Sequence, residues 1–202
     1  MNKINNVFVV DDDDAVRKSL RMLLKTEGYT VATFPSADEF LAVCNQETAG
    51  CIILDVNMPE MDGPSMQEEL NRRGLNLPII FLSGQGSIPI TVRALKAGAM
   101  DFLTKPVDGT ELLACVKLAL EKSADMQKQA ADSQSKASLL ATLTEREKEI
   151  LSLIVAGYAN KDIAERLGIS FRTVETHRAH IMEKTGASNL KDLLTLGMST
   201  NP

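Results

Sequence analysis

The stretch VFVVDDDDAVRKSL, residues 7–20, runs from an apolar segment through four aspartates into a helical period. Four apolar residues in a row are too few for a buried helix and suit a strand covered on both faces. Beyond the acids, Val16, Leu20, Leu23 and Leu24 share one helical face, and Gly28 supplies a stop. A strand passing directly into a helix is half of a βαβ unit. The aspartates at the junction pose a second question, because adjacent carboxylates repel. Either they sit in a solvated loop, or they wait for a divalent cation or a phosphoryl group.

The same alternation continues for 120 residues. Apolar runs recur as TVATF (30–34), CIIL (51–54), PIIFL (78–82) and MDFL (100–103). Between and after them lie segments of helical period: DEFLAVCNQ (38–46), PSMQEELNRRG (64–74), ITVRALKAGA (90–99) and ELLACVKLALEK (111–122). Five strands alternating with five helices predict an α/β domain: a doubly wound, flavodoxin-like parallel sheet over residues 1–121. Such sheets bind ligands beyond the carboxyl ends of their strands. That rim would carry Asp11, Asp12, Asp55, Ser83 and Lys105, each directly after an apolar run.

The chain has 202 residues, a length that suits one main domain and a small second one. No apolar run approaches a membrane span, and nothing at the N-terminus marks the chain for export, so a cytoplasmic protein with no membrane partner is expected. Cys44, Cys51 and Cys115 cannot all pair and lack metal-ligand spacing, which predicts free thiols in a reducing compartment. Residues 1–142 hold 14 Lys and Arg against 19 Asp and Glu, whereas residues 143–202 hold 8 of each. Bulk charge therefore gives no basic nucleic-acid binder, and any such role must rest on local clustering in the C-terminal part.

Between Gly109 and Gly157 there is neither Gly nor Pro. Residues 122–142, rich in Ala, Gln, Lys and Ser, are expected to extend the last domain helix as a semi-rigid linker, with disorder around 133–138 as the rival. No internal repeats occur. From Thr144 onward the pattern is helical, and residues 143–202 are expected to form a small all-α domain. Thr144-x-x-Glu147 reads as a capping box, and Gly157 ends the helix it opens. NKDIAERLG, SFRTVETHRAHIMEKTG and NLKDLLTLGM follow.

On the rim, Asp11, Asp12 and Asp55 come from strand ends expected to be neighbours. Three converging carboxylates offer hard oxygen ligands for Mg²⁺. A carboxylate is also a competent nucleophile that forms an aspartyl-phosphate. Lys105 and Ser83 would then supply a cation and a hydroxyl for phosphoryl oxygens, and Pro106 would hold the lysine in a turned loop. Asp13 and Asp14 fit the start of a helix at Ala15, where a cap and negative charge are stabilising.

VVDDDDAVR, LDVNMPEMDG, LSGQG and DFLTKP together resemble the landmarks of response-regulator receiver domains over the first 120 residues. The resemblance implies that Asp55 is the phosphoacceptor. It further implies that Asp12, Asp55 and the carbonyl of Asn57 hold Mg²⁺, with Asp11 completing the pocket through water. Ser83 would be the switch hydroxyl, Phe102 the switch aromatic and Lys105 the phosphate-binding cation, while Pro59 and Gly63 fit the loop after the phosphoacceptor. Ser83 stands where many relatives have Thr, and Phe102 where Tyr is frequent. The partner implied is a sensor histidine kinase. The protein would be no enzyme in the ordinary sense, but a phosphoacceptor able to catalyse its own phosphorylation and dephosphorylation. A second reading takes Asp12-x-Asp14 as the first motif of a haloacid-dehalogenase-like phosphohydrolase, with Asp12 as nucleophile. It lacks the acidic pair expected after the lysine, since only Asp108 follows, and it leaves Asp55 and MPEMDG without a task.

In the C-terminal part, Ile163, Ala164, Leu167, Gly168, Ile169 and Val174 fall at helix-turn-helix spacing, with Ser170 as N-cap of the second helix. Val174 and Ile181 face inward, leaving Arg172, Thr173, Glu175, Thr176, Arg178, Ala179 and Lys184 available to face DNA. His177 and His180 lie three apart, but no third metal ligand is apparent. The larger pattern LTEREKEIL…AGYANKDIAERLGIS…TVETHRAHIMEKTG resembles the LuxR-type domain of the NarL/FixJ class. By position, Glu175, Thr176 and Ala179 would approach base edges, and Lys161, Arg172, Thr173, Arg178 and Lys184 would meet phosphates. Neutral net charge limits the affinity of one such domain, which implies a homodimer on paired promoter half-sites. Phosphorylation would drive that pairing through the face formed by residues 88–97, the fifth strand and the helix after it. RNA polymerase is a further implied partner.

Overall fold

The computed structural model describes residues 5–84, 92–93 and 95–197. In the first part of the chain, β1 (Asn6–Val10), β2 (Thr30–Phe34), β3 (Cys51–Asp55), β4 (Ile79–Ser83) and β5 (Asp101–Thr104) form one parallel sheet in the order β2-β1-β3-β4-β5. Helices α1 (Asp14–Thr26), α2 (Ala37–Val43) and α3 (Gly63–Arg72) follow β1, β2 and β3, and α4 (Gly109–Ala141) follows β5. This is the doubly wound α/β architecture expected. The last strand lies one residue later than the apolar run MDFL suggests.

Burial on both faces explains why β3 and β4 read as unbroken apolar runs. Alternate residues serve opposite layers, as a pleated strand requires. Ile53, Ile80 and Leu82 face one cluster with Leu20, Leu24, Leu112 and Val116 of α1 and α4. Ile52, Leu54, Ile79 and Phe81 face the other, with Phe40, Met66 and Leu70 of α2 and α3.

Helix starts are set by short polar side chains that satisfy otherwise unpaired N–H groups. Asp13 caps α1 by accepting from Ala15 N at 2.8 Å, Ser36 caps α2, and Asp62 caps α3 by accepting from Ser65 N at 2.7 Å. Helix α1 thus begins at Asp14, one residue before the expected start, and Asp13 takes the capping role foreseen for it.

The helical period at 90–99, and with it the 88–97 face expected for dimerisation, falls partly outside the described residues; Val92, Arg93, Leu95 and Lys96 are helical. The 33-residue α4 runs unbroken through 133–138, so the linker is helical where disorder was the rival. Beyond its first residue, Gly109, the helix contains neither Gly nor Pro, which accounts for that continuity.

The chain divides into compact units at 1–127 and 128–202. In the second, the end of α4 is followed by α5 (Glu145–Val155), α6 (Asn160–Leu167), α7 (Phe171–Thr185) and α8 (Leu190–Gly197). They enclose a core built from Ile150, Ile154, Ile163, Ala164, Val174, Ile181 and Leu193. Thr144 and Glu147 form the expected capping box, and Ser170 caps α7 by accepting from Thr173 N at 3.0 Å. Gly168 makes the turn from α6 to α7 in the left-handed region (φ 63°), where a Cβ would be strained.

Candidate functional site

Register decides which strand ends meet. Val10 pairs with Leu54, so Asp11 and Asp55, the next residues, leave the sheet side by side. Asp55 pairs with Leu82 and Ser83 with Thr104, which carries the rim on to Lys105. One carboxylate oxygen each from Asp11, Asp12 and Asp55 lies within 4.8 Å of the others. Among the described residues this is the one group of three or more acids, histidines or cysteines whose donor atoms converge.

A cation already sits among them. Lys105 Nζ lies 2.6 Å from Asp11 Oδ2 and 2.8 Å from Asp55 Oδ1, with the lysine side chain only 23% exposed. Backbone groups fix the remaining oxygens: Asp13 N–H donates to Asp11 Oδ1 at 3.0 Å, and Asn57 N–H to Asp55 Oδ2 at 3.1 Å. Lys105 N–H donates to the Ser83 carbonyl at 2.7 Å, tying the lysine loop to the end of β4, and the Lys105–Pro106 peptide is cis.

Burial pushes the Asp55 carboxyl above the usual range; the Lys105 ammonium pulls it back, and Asp11 and Asp12 add to the rise. Burial alone would lower the Lys105 ammonium, but its hydrogen bonds to Asp11 and Asp55 together outweigh it and hold the pKa above the ordinary lysine value. The pocket is thus short of positive charge even with Lys105 in place. An all-oxygen donor set with that deficit fits a small hard divalent cation such as Mg²⁺.

Close packing sets the floor of the site. Gly63 N–H donates to the Val56 carbonyl at 3.0 Å, and a Cβ on Gly63 would collide with the Asp55 carbonyl oxygen and lie 2.9 Å from Phe81 Cε1. Ser83 is fully buried, and Asn57 is exposed. Phe102 is half-buried, its ring centroid 6.3 Å from that of Phe81. Asp14 turns away from the acids to pair with Lys18 at 2.6 Å and Arg17 at 3.2 Å. It is therefore not placed as the second acid of a phosphohydrolase motif led by Asp12.

Sequence reasoning overlooked Arg17. Its Nη1 donates to the Asp11 carbonyl at 2.6 Å, and its side chain is 15% exposed. It lies within the VVDDDDAVR stretch, which assigned it no task.

In the second unit, Arg172, Glu175, Thr176 and Ala179 are exposed along α7, and Lys161 is exposed on the first turn of α6. Three other residues of that face have partners within the domain. Thr173 Oγ1 lies 2.8 Å from Ser170 Oγ, and Arg178 Nη1 donates to Asn160 Oδ1 at 2.8 Å. Lys184 Nζ donates to both oxygens of buried Glu147, at 2.7 and 3.0 Å. That hydrogen bond, with the Thr144 N–H, holds the Glu147 carboxyl down at about 2. His180 is exposed, while His177 Nδ1 is enclosed with no hydrogen-bond partner among the described residues. Among the described residues, neither belongs to a group of three or more converging metal-ligand side chains.

Residues 7–117 match the response regulator receiver domain family, and residues 141–196 match the bacterial regulatory proteins of the luxR family. The chain belongs to the response regulators of the NarL/FixJ class. It is 45% identical over 190 residues to the transcriptional regulatory protein TdiR of Thauera aromatica, covering 94% of this chain and 84% of that one. It is 42% identical over 192 residues to the transcriptional regulatory protein FixJ of Azorhizobium caulinodans, covering 95% and 91%. Among solved structures, the response regulator StyR matches with a TM-score of 0.83 at 41% identity, over 95% of this chain and 96% of that one. Full-length FixJ from B. japonicum matches with a TM-score of 0.60 at 35% identity, over 98% of both chains. This response regulator therefore joins a receiver domain to a LuxR-type DNA-binding domain, and the phosphohydrolase alternative falls. Among the described residues, no helix is long and apolar enough to cross a membrane.

Proposed function

We propose that Asp55 accepts a phosphoryl group from the phosphohistidine of a sensor histidine kinase, and that the modified receiver domain controls transcription from paired DNA sites. The observation that supports this reading is the bridge from Lys105 to both Asp11 and Asp55, which sets a cation beside a buried carboxylate at the end of the central strand β3, between the ends of β1 and β4. In the transfer, an Asp55 oxygen forms the new O–P bond as the N–P bond breaks, and the departing imidazole takes up a proton. Burial that raises Asp55 also makes its carboxylate the more nucleophilic.

Asp11, Asp12, Asp55 and the Asn57 carbonyl would hold Mg²⁺, which when bound supplies positive charge against the phosphoryl oxygens. Lys105 then binds one of those oxygens, and Ser83 and Phe102 respond as the switch pair. Dimerisation through the surface around 88–97, β5 and α4 would place two α7 helices on adjacent half-sites. Arg172, Glu175, Thr176, Ala179 and Lys161 would make the outer contacts; Thr173, Arg178 and Lys184 would add to them from their partnered positions. A cytoplasmic regulator that recruits or hinders RNA polymerase fits this reading.

The test is labelling with acetyl phosphate and Mg²⁺. An acid-labile acyl phosphate should form on the wild-type chain, vanish in Asp55→Asn and vanish on chelation. Persistent labelling of Asp55→Asn overturns the assignment. Unchanged sedimentation after phosphorylation overturns the dimer.

A further inference from the structure

We infer that Arg17 is a positioning residue for the acidic pocket: its guanidinium fixes the peptide joining Asp11 to Asp12 and so sets the direction of both carboxylates. Nη1 donates to the Asp11 carbonyl oxygen at 2.6 Å while Nη2 donates to Asp14 Oδ1 at 3.2 Å, so the fork is held at two points. The arginine's own N–H donates to the Asp13 carbonyl at 3.0 Å, which fixes its backbone as well.

The geometry gives this contact leverage. The Asp11 carbonyl belongs to the planar unit that contains the Cα atoms of both Asp11 and Asp12, so anchoring its oxygen stops that unit from rotating. An uncompensated change in Asp11 ψ or Asp12 φ, the two dihedrals that flank the unit, would turn the two side chains relative to each other and loosen the Asp11–Lys105 contact at 2.6 Å. It would also redirect the Cα–Cβ bond of Asp12, whose exposed carboxylate has no hydrogen bond of its own among the described residues to hold it in place. Groups that orient ligands in this way are typically worth about 10- to 100-fold in metal affinity.

Charge and orientation act with opposite sign here, and that separates them. A cation beside the pocket repels Mg²⁺, so removing it should tighten binding if charge is all that Arg17 contributes. If orientation is its role, losing the fork weakens binding even when the charge stays. Lysine keeps the charge and lacks the planar fork. The inference rests on the proposed Mg²⁺ reading of Asp11, Asp12 and Asp55.

Calorimetric titration of the full chain with MgCl₂, without phosphodonor, decides between them. Arg17→Lys should raise the Mg²⁺ dissociation constant about 10-fold, and Arg17→Ala should raise it as well, by less where the lost charge offsets the lost anchor. Thermal melts in EDTA identify any variant that fails to fold, in which case Arg17→Lys alone decides. An Arg17→Lys constant equal to wild type, or tighter binding by Arg17→Ala, overturns the inference, as does a lowered melting temperature with an unchanged constant. A wild-type chain that takes up no Mg²⁺ overturns the metal reading itself and this inference with it.

Discussion

The ammonium of Lys105 stands 2.8 Å from Oδ1 of Asp55 and 2.6 Å from Oδ2 of Asp11, so one cation bridges two of the three carboxylates. In the metal-free protein it offsets part of the repulsion among Asp11, Asp12 and Asp55. Lys105→Met should therefore destabilise the receiver domain in EDTA by about 2 kcal/mol, less than for a fully buried pair because the lysine is partly solvated. The same variant should gain more in melting temperature from added MgCl₂ than wild type does, since a bound cation replaces the missing charge. Circular-dichroism melts with and without MgCl₂ read both effects. Equal Mg²⁺ increments in the two proteins would rule out this role for the lysine.

Gly63 supports Asp55 from below by having no side chain. A methyl group there meets the Asp55 carbonyl oxygen, Phe81 Cε1 and Val56 Cα, two of them backbone atoms that cannot rotate away. Gly63→Ala should cost about 2 kcal/mol in urea unfolding, as overpacking does in tight cores, and should slow labelling of Asp55. Gly84→Ala is the control for stability, because a Cβ at Gly84 meets nothing within 4 Å among the described residues. If the two substitutions cost the same, the collision at Gly63 is relieved elsewhere.

The legible part of the site was the part written along the strands. Asp11, Asp55, Ser83 and Lys105 each follow a run apolar enough to be buried, and parallel strands must deliver their ends to one rim. Contacts between elements were not legible. Lys184 reads as an exposed helical lysine suited to phosphate, and only the fold brings it to Glu147, 37 positions earlier in the chain. Arg17 escaped for a related reason, since its partner is a backbone carbonyl and carries no residue signature. The edge of β5 was misplaced by one residue because Met100 is as apolar as the strand and its N–H still donates to the Ile79 carbonyl, at 2.8 Å.

Glu147 gives the DNA-binding domain a pH dependence whose sign is fixed. Its folded pKa of about 2 lies below the ordinary 4.5, because Lys184 and the Thr144 N–H favour the carboxylate. The stabilisation is complete above the unfolded value and is lost as pH falls from about 4.5 toward about 2. Glu147→Gln should flatten the stability of residues 128–202 across that window. Glu147→Ala also removes the capping box and should cost about 2 kcal/mol at neutral pH. Urea titrations at neutral pH and near pH 3 (about midway through the window) provide the comparison. A Glu147→Gln protein that still loses stability as steeply as wild type would assign the acid sensitivity to other carboxylates.

Arg172 and Arg178 share α7 but differ in what else they do. Arg172 is exposed near the start of the helix, whereas Arg178 is half-buried and bonded to Asn160 at the start of α6. If both meet phosphate, Arg172→Ala should weaken DNA binding about equally across sequences and reduce the salt slope by about 1, with the domain's stability intact. Arg178→Ala should weaken binding too, but it should also cost about 1 kcal/mol of stability through the lost Asn160 bond. Glu175→Ala should act differently again: removing an acid from the face raises nonspecific affinity and relaxes the choice of base at one position. Fluorescence anisotropy over a KCl series, with specific and scrambled duplexes, separates the three. An unchanged salt slope for Arg172→Ala would move the phosphate contact off this end of α7.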